Sequence, residues 1–233
     1  MPNENLIYVA DSQFTPYGNK SEQQITDRVL TIADYLNKHH IKALVVACNT
    51  ATAAAIKTLR KQYDIPIIGL EPALKPAAEN TSCNRIGVLA TQATLESEKY
   101  KQLKNSLNNS INIIEKASPL FVELVESTEE IGNNELILIE KELDIFKQAK
   151  VDSLVLGCTH YPFLTKSISQ VMGPKVALFE SGEPVAKELE RRLQQHCNRS
   201  SNQGDILYFS SNPKKSQSIF NLLLNQTINL QLL

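Results

Sequence analysis

The sequence predicts an α/β protein of two similar α/β units, with mostly parallel sheets and an active site in the cleft between them. Three observations carry that expectation. Short β-branched runs alternate with longer helical patterns along the whole chain, the signature of βα units building parallel sheets. Residues 44–50 read LVVACNT, and residues 154–160 read LVLGCTH, each an apolar run, a small residue, a cysteine and a polar pair. The two cysteines stand about one domain's length of chain apart, so each is assigned to a different unit.

The elements follow in order. Residues 6–10 (LIYVA) read as a strand, and Ser21 with Gln24 forms a capping box that starts a helix with Ile25, Val29, Ile32 and Leu36 on one face. Residues 42–47 are the next strand, and the strong helix formers after Cys48 predict a helix with Thr50 as its N-cap. Residues 65–69 (IPIIG) read as a strand, and the two prolines of LEPALKPAAEN suggest a crossing between units. Strands are expected at 85–90, with Thr91 capping a helix, and at 111–114; helices follow over PLFVELVES and at about 135–148. The strand at 152–156 leads to Cys158. Beyond it come a strand at 176–179, a helix from 183 to about 195, a strand at 206–209 and a last helix from about Pro213.

The bulk numbers narrow the class. At 233 residues, 42% hydrophobic and 21% charged, the chain has room for one large or two small cores. A net charge of −1 argues against nucleic acid or an anionic membrane as the main partner and for a small molecule. No apolar run reaches the roughly 18 residues of a membrane helix, and the N-terminus lacks the features of a secretory signal, which predicts a cytoplasmic location. The four cysteines, Cys48, Cys83, Cys158 and Cys197, form no CxxC pair, so free thiols are expected rather than a disulfide framework or a zinc site. Cys83 and Cys197 read as small core residues.

Cys48 and Cys158 read differently, because each ends a strand where helix amino ends offer N–H groups to ligands. A thiol there is expected to have a lowered pKa and to act as a base or nucleophile near neutral pH. Two thiols facing one bound molecule suit stereoinversion: one removes a proton from a tetrahedral carbon while the other delivers a proton to the opposite face. Asn49, Thr50 and Thr159 are placed to hold a substrate carboxylate, and His160 to act as an acid or to polarise Cys158. Asp11 and Tyr17 follow the first strand and fall on the same rim.

At these residues the sequence resembles the glutamate racemases of the aspartate/glutamate racemase superfamily. The likeness lies in DSQFTPYGNKS (11–21), VVACNTATAAA (45–55), PLFVELVE (119–126) and LVLGCTHYPFL (154–164), with a weaker one at ESGEPVA (180–186). It implies cofactor-independent interconversion of L- and D-glutamate for peptidoglycan, with Cys48 and Cys158 as the acid/base thiols. Asp11 and Glu126 match acidic positions that assist, while Tyr17, Gly18, Asn49, Thr50, Thr159 and His160 bind the amino acid. It implies a homodimer, and a first unit of residues 1–70 plus 181–233 into which a second, 71–180, is inserted. His160 stands where aspartate racemases typically carry Glu, which favours glutamate over an aspartate or hydantoin substrate. The family's opening strand and its F-D-S-G-x-G-G turn have no counterpart here, in keeping with only 8 glycines. Unpaired sheet edges and exposed apolar surface are therefore expected. The alternative is a catalytically inactive member that binds a ligand or a partner.

Overall fold

A computed structural model describes residues 3–127, 130–196 and 203–233. Cys197, read above as a core thiol, lies outside the described residues. The chain begins with β1 (Leu6–Ala10), α1 (Glu22–Asn37), β2 (Leu44–Val46), α2 (Asn49–Gln62) and β3 (Ile67–Gly69). Then come α3 (Leu74–Asn80), β4 (Arg85–Ala90), α4 (Gln92–Glu96), α5 (Glu98–Asn105), β5 (Asn112–Ala117), α6 (Leu120–Ser127) and α7 (Asn133–Gln148). The remainder is β6 (Ser153–Gly157), α8 (Thr165–Met172), β7 (Ala177–Phe179), α9 (Gly182–His196), β8 (Ile206–Ser210), α10 (Pro213–Leu223) and β9 (Leu230–Leu232).

All the strand pairings are parallel. One sheet has the order β5-β4-β6-β7, and it is covered on both faces. Leu154 and Leu156 of β6 pack with Phe121, Ile139, Leu143 and Phe146 of α6 and α7. Val155, pointing the other way, joins Leu74, Ala77, Tyr100 and Leu103 of α3 and α5. Coverage on both faces explains why these strands read as unbroken apolar runs rather than alternating ones. Each such fully buried Leu or Phe contributes about 1.5–3 kcal/mol.

The other strands form two separate sheets, β1-β8-β9 and β2-β3. Val29, Ala33 and Leu36 of α1 pack with Ala55, Ile56 and Leu59 of α2 over β2 and β3. The capping box at Ser21 forms in both directions, with Gln24 N–H donating to Ser21 Oγ at 3.3 Å and Ser21 N–H to Gln24 Oε1 at 3.0 Å. Strand β1 pairs with β8, and β2 with β3, so among the described residues one edge of each has no strand beside it. Both edges line a single cavity of about 1140 Å³. A Lys42–Glu4 ion pair at 2.5 Å stands at its end where both strands start, while Asp11 and Cys48 stand where they finish. Apolar surface is open here too, with Tyr8 at 43% and Ile206 at 47% exposure.

Several expectations are corrected. The segment LEPALKPAAEN carries a helix that was not expected, since residues 74–80 form α3, with Pro76 in the first turn, where its missing N–H costs nothing. The 111–114 strand lies at 112–117. Strand β9 was not foreseen: three residues have too little periodicity, and its register is set by Tyr208 and Phe209 of β8. No described helix is long and apolar enough to cross a membrane.

Candidate active site

Both cysteines end strands, as expected, and both line the same cavity. Cys48 directly precedes α2 and is itself the cap, its sulfur accepting from Ala51 N–H at 3.4 Å. This corrects the assignment of Thr50 as N-cap. The Thr50 hydroxyl instead joins those of Thr91 and Thr94 at 2.9 and 3.2 Å, with 2.9 Å between the latter two. That hydroxyl triangle ties the start of α2 to the start of α4. Thr91, expected only as a helix cap, also borders the cavity; it stands at the end of β4, so the strand-end rule that selected the cysteines would have found it.

Cys158 is not followed at once by an α-helix. Its chain turns through Thr159 and His160 into a 3-10 turn, Tyr161–Leu164, held by the Tyr161 hydroxyl donating to Ser118 C=O at 2.7 Å. Gly157 must be small, because a Cβ there would lie 2.9 Å from Ala90 Cβ on the adjoining strand. The turn aims His160 Nδ1 at Cys158 Sγ, 3.8 Å away, and His160 Nε2 at Glu126 Oε1, 2.7 Å away. The His160 hydrogen bond holds the Glu126 carboxyl below its ordinary range against the opposing effect of burial. An ionised Glu126 takes the Nε2 proton as acceptor, which leaves Nδ1 as a lone pair facing the Cys158 thiol.

The expected lowering of the thiol pKa values is overturned. Burial raises both, Cys158 to about 12, and the backbone N–H groups of Ala51 and Thr50 at Cys48, or of His160 and Tyr161 at Cys158, offset only part of it. Partial charges at a helix end or turn are weaker than the loss of water around a thiolate. The two side chains therefore stand as a pair of thiols, and a charge on Cys48 raises the cost of ionising Cys158.

Asp11, Tyr17 and Gly18 form another wall. The Tyr17 hydroxyl donates to Asp11 Oδ2 at 2.6 Å, while Arg28 Nε and Nη2 donate to Oδ2 and Oδ1 at 3.0 and 2.7 Å. Burial pushes the Asp11 carboxyl up, yet the bonds from Arg28, Tyr17 and Ser211 prevail and leave it below its ordinary value. Tyr17, buried and bonded to that carboxylate, is pushed the other way. Gly18 abuts Thr91, whose Cβ would be 3.3 Å from an added Cβ. Thus Asp11, Tyr17, Gly18, Cys48, Thr50, Glu126, Cys158, Thr159 and His160 all meet at one cavity. Asn49 is absent from its lining; it is buried, with its Oδ1 lacking a hydrogen-bond partner. Cys83 lies elsewhere, part-buried beside Thr81 and the Arg85 and Lys150 carbonyls.

Comparison with known proteins places this geometry. The model of the Asp/Glu/Hydantoin racemase family matches residues 1–189. A glutamate racemase of Methylococcus capsulatus is 43% identical over 215 residues, covering 91% of this chain and 79% of its own. Among solved structures, Escherichia coli glutamate racemase in complex with L-glutamate and the activator UDP-MurNAc-Ala superposes with a TM-score of 0.87 at 29% identity, covering 100% of this chain and 89% of its own. Francisella tularensis glutamate racemase in complex with D-glutamate gives 0.85 at 27%, with 100% and 89% coverage. The chain therefore belongs to the Asp/Glu/Hydantoin racemase family and, within it, to the glutamate racemases.

Proposed function

We propose that this protein interconverts L- and D-glutamate by a two-thiol proton transfer needing no cofactor, and so supplies D-glutamate for peptidoglycan. The observation that carries the reading is the convergence of Cys48 and Cys158, from equivalent strand ends of two sheets, on one cavity. In one direction a cysteine thiolate takes the α-proton and becomes S–H. The electron pair left on carbon delocalises into the substrate carboxylate, and the other cysteine's S–H protonates the opposite face, leaving its own thiolate. The reverse direction exchanges the roles.

The buried thiols need help to ionise, and the site supplies it unequally. Cys158 can pass its proton to His160 Nδ1, with Glu126 stabilising the imidazolium. Cys48 has backbone donors, and a bound substrate ammonium favours a thiolate at either side. Thr50, Thr159 and the Tyr17–Gly18 wall hold the amino acid. Asp11, whose two oxygens are already engaged, keeps that wall in place rather than moving the α-proton. The units 1–70 plus 181–233 and 71–180 then close on the substrate, their crossings adjoining where Ser181 Oγ donates to Glu71 C=O at 2.5 Å. A homodimer in the cytoplasm completes the proposal.

Exchange of the glutamate α-proton in heavy water tests the reading. Wild type is expected to exchange and racemise both enantiomers, and Cys48→Ala or Cys158→Ala to abolish racemisation. Folded wild-type protein that exchanges neither enantiomer refutes it.

A further inference from the structure

We infer that Arg28 is a positioning residue of this site, which by clamping Asp11 holds the Tyr17–Gly18 wall in its binding geometry. The inference deepens the racemase reading and rests on it. Arg28 projects from α1 and grips both oxygens of Asp11 in a fork, at 3.0 and 2.7 Å. Its guanidinium lies 3.9 Å above the Phe14 ring, so the clamp is stacked as well as bonded. The Asp11 side chain is 7% exposed, and it is the acceptor that fixes the Tyr17 hydroxyl. The Asp11 carbonyl accepts from the N–H groups of Phe14 and Thr15 at 2.9 and 3.1 Å, so one residue anchors both the turn and the tyrosine beyond it.

Arg28 is absent from the cavity lining, whereas Asp11 and Tyr17 are on it. Arg28 therefore acts on the substrate through the wall residues it holds, Asp11 first and Tyr17 beside it. Without the guanidinium, a nearly buried carboxylate would retain its charge beside a cavity that must accept a dicarboxylate. It would repel the ligand and lose both Arg28 bonds, keeping only those from Tyr17 and Ser211. Lysine, a point charge lacking the planar fork, would restore the charge but not the geometry.

The test compares wild type, Arg28→Gln, Arg28→Lys, Asp11→Asn and the Arg28→Gln/Asp11→Asn double variant. Racemisation is followed in both directions, glutamate affinity by calorimetry, and folding by circular dichroism. Arg28→Gln is expected to raise KM and Kd roughly tenfold, the scale of one lost charge-assisted hydrogen bond, with kcat little changed. Arg28→Lys should recover part of the affinity, and the double variant should bind no worse than Asp11→Asn alone. Additive losses in the double variant, a fall in kcat at unchanged KM, or wild-type affinity in Arg28→Gln each overturn the inference. If Arg28→Gln fails to fold, the Arg28→Lys variant decides, since wild-type KM there refutes the need for the fork. Wild type that neither exchanges nor binds glutamate overturns the racemase reading and this inference together. Active wild type with additive variants overturns this inference alone.

Discussion

Glu126→Gln is the most informative perturbation of the proton relay. The substitution keeps the volume of the side chain but removes the charge 2.7 Å from His160 Nε2. A hydrogen bond to a charged group contributes about 1.5–3 kcal/mol. The Glu126 side chain is 34% exposed, so solvent screening argues for the lower end, about tenfold in rate. A glutamine can also donate its N–H to Nε2, which moves the ring proton to Nδ1 and turns the group facing Cys158 from an acceptor into a donor; that adds to the loss. Racemisation should fall by at least about tenfold in both directions, because its equilibrium constant is unity for enantiomers in water. The partial reactions should not fall equally. Cys48 lacks this relay, so the enantiomer it deprotonates should still exchange its α-proton with heavy water while being returned unchanged. The assay is proton NMR of each pure enantiomer beside a polarimetric or coupled measurement of inversion. Wild-type racemisation by Glu126→Gln, or equal losses of exchange for both enantiomers, would refute the relay.

Two further outcomes are expected. Since burial pushes the Cys158 thiol up to about 12 and raises Cys48 too, a His160→Asn variant, which lacks the internal acceptor for the Cys158 proton, must lose a proton to solvent to become active, so its log kcat/KM should climb with pH from 7 to 9 at a slope approaching one; a flat profile in that variant would mean that the thiolate is already present at neutrality. Gly157→Ala should cost about 1–3 kcal/mol by forcing a Cβ against Ala90, or about 2–4 °C of Tm for each kcal/mol, and should displace Cys158; an unchanged melting curve together with full activity would show that β4 and β6 separate more freely than their packing implies.

Much of the site was legible in order of residues because its logic is local. A cysteine that ends a strand faces the rim at which ligands bind, and two such cysteines in matched contexts imply a shared ligand. The capping box at Ser21 and the cap at Thr91 were legible for the same reason, as in each a side-chain oxygen accepts from the backbone N–H three residues on. The cap at Cys48 was not. Thr50 has the better capping chemistry, but the close approach of Thr91 and Thr94 draws its hydroxyl away, and no local pattern reports that approach. Ala47 and Gly157 looked like equivalent small residues ahead of their cysteines. Only Gly157 is pressed against a neighbouring strand, whereas Ala47 is exposed and lines the cavity at the unpaired edge of β2.

By itself the sequence determined the α/β class, most strands and helices, and the paired cysteines, since these follow from periodicity, capping chemistry and motif. The tertiary structure decided the rest. It set Glu126, His160 and Cys158 in line, engaged both oxygens of Asp11 with Arg28 and Tyr17, and left an open slot between β1 and β2. It also reversed the expected ionisation of the thiols. Burial is a property of everything packed around a group, while helix ends and neighbouring donors can be read from a few adjacent residues. At Cys48 and Cys158 the first outweighs the second.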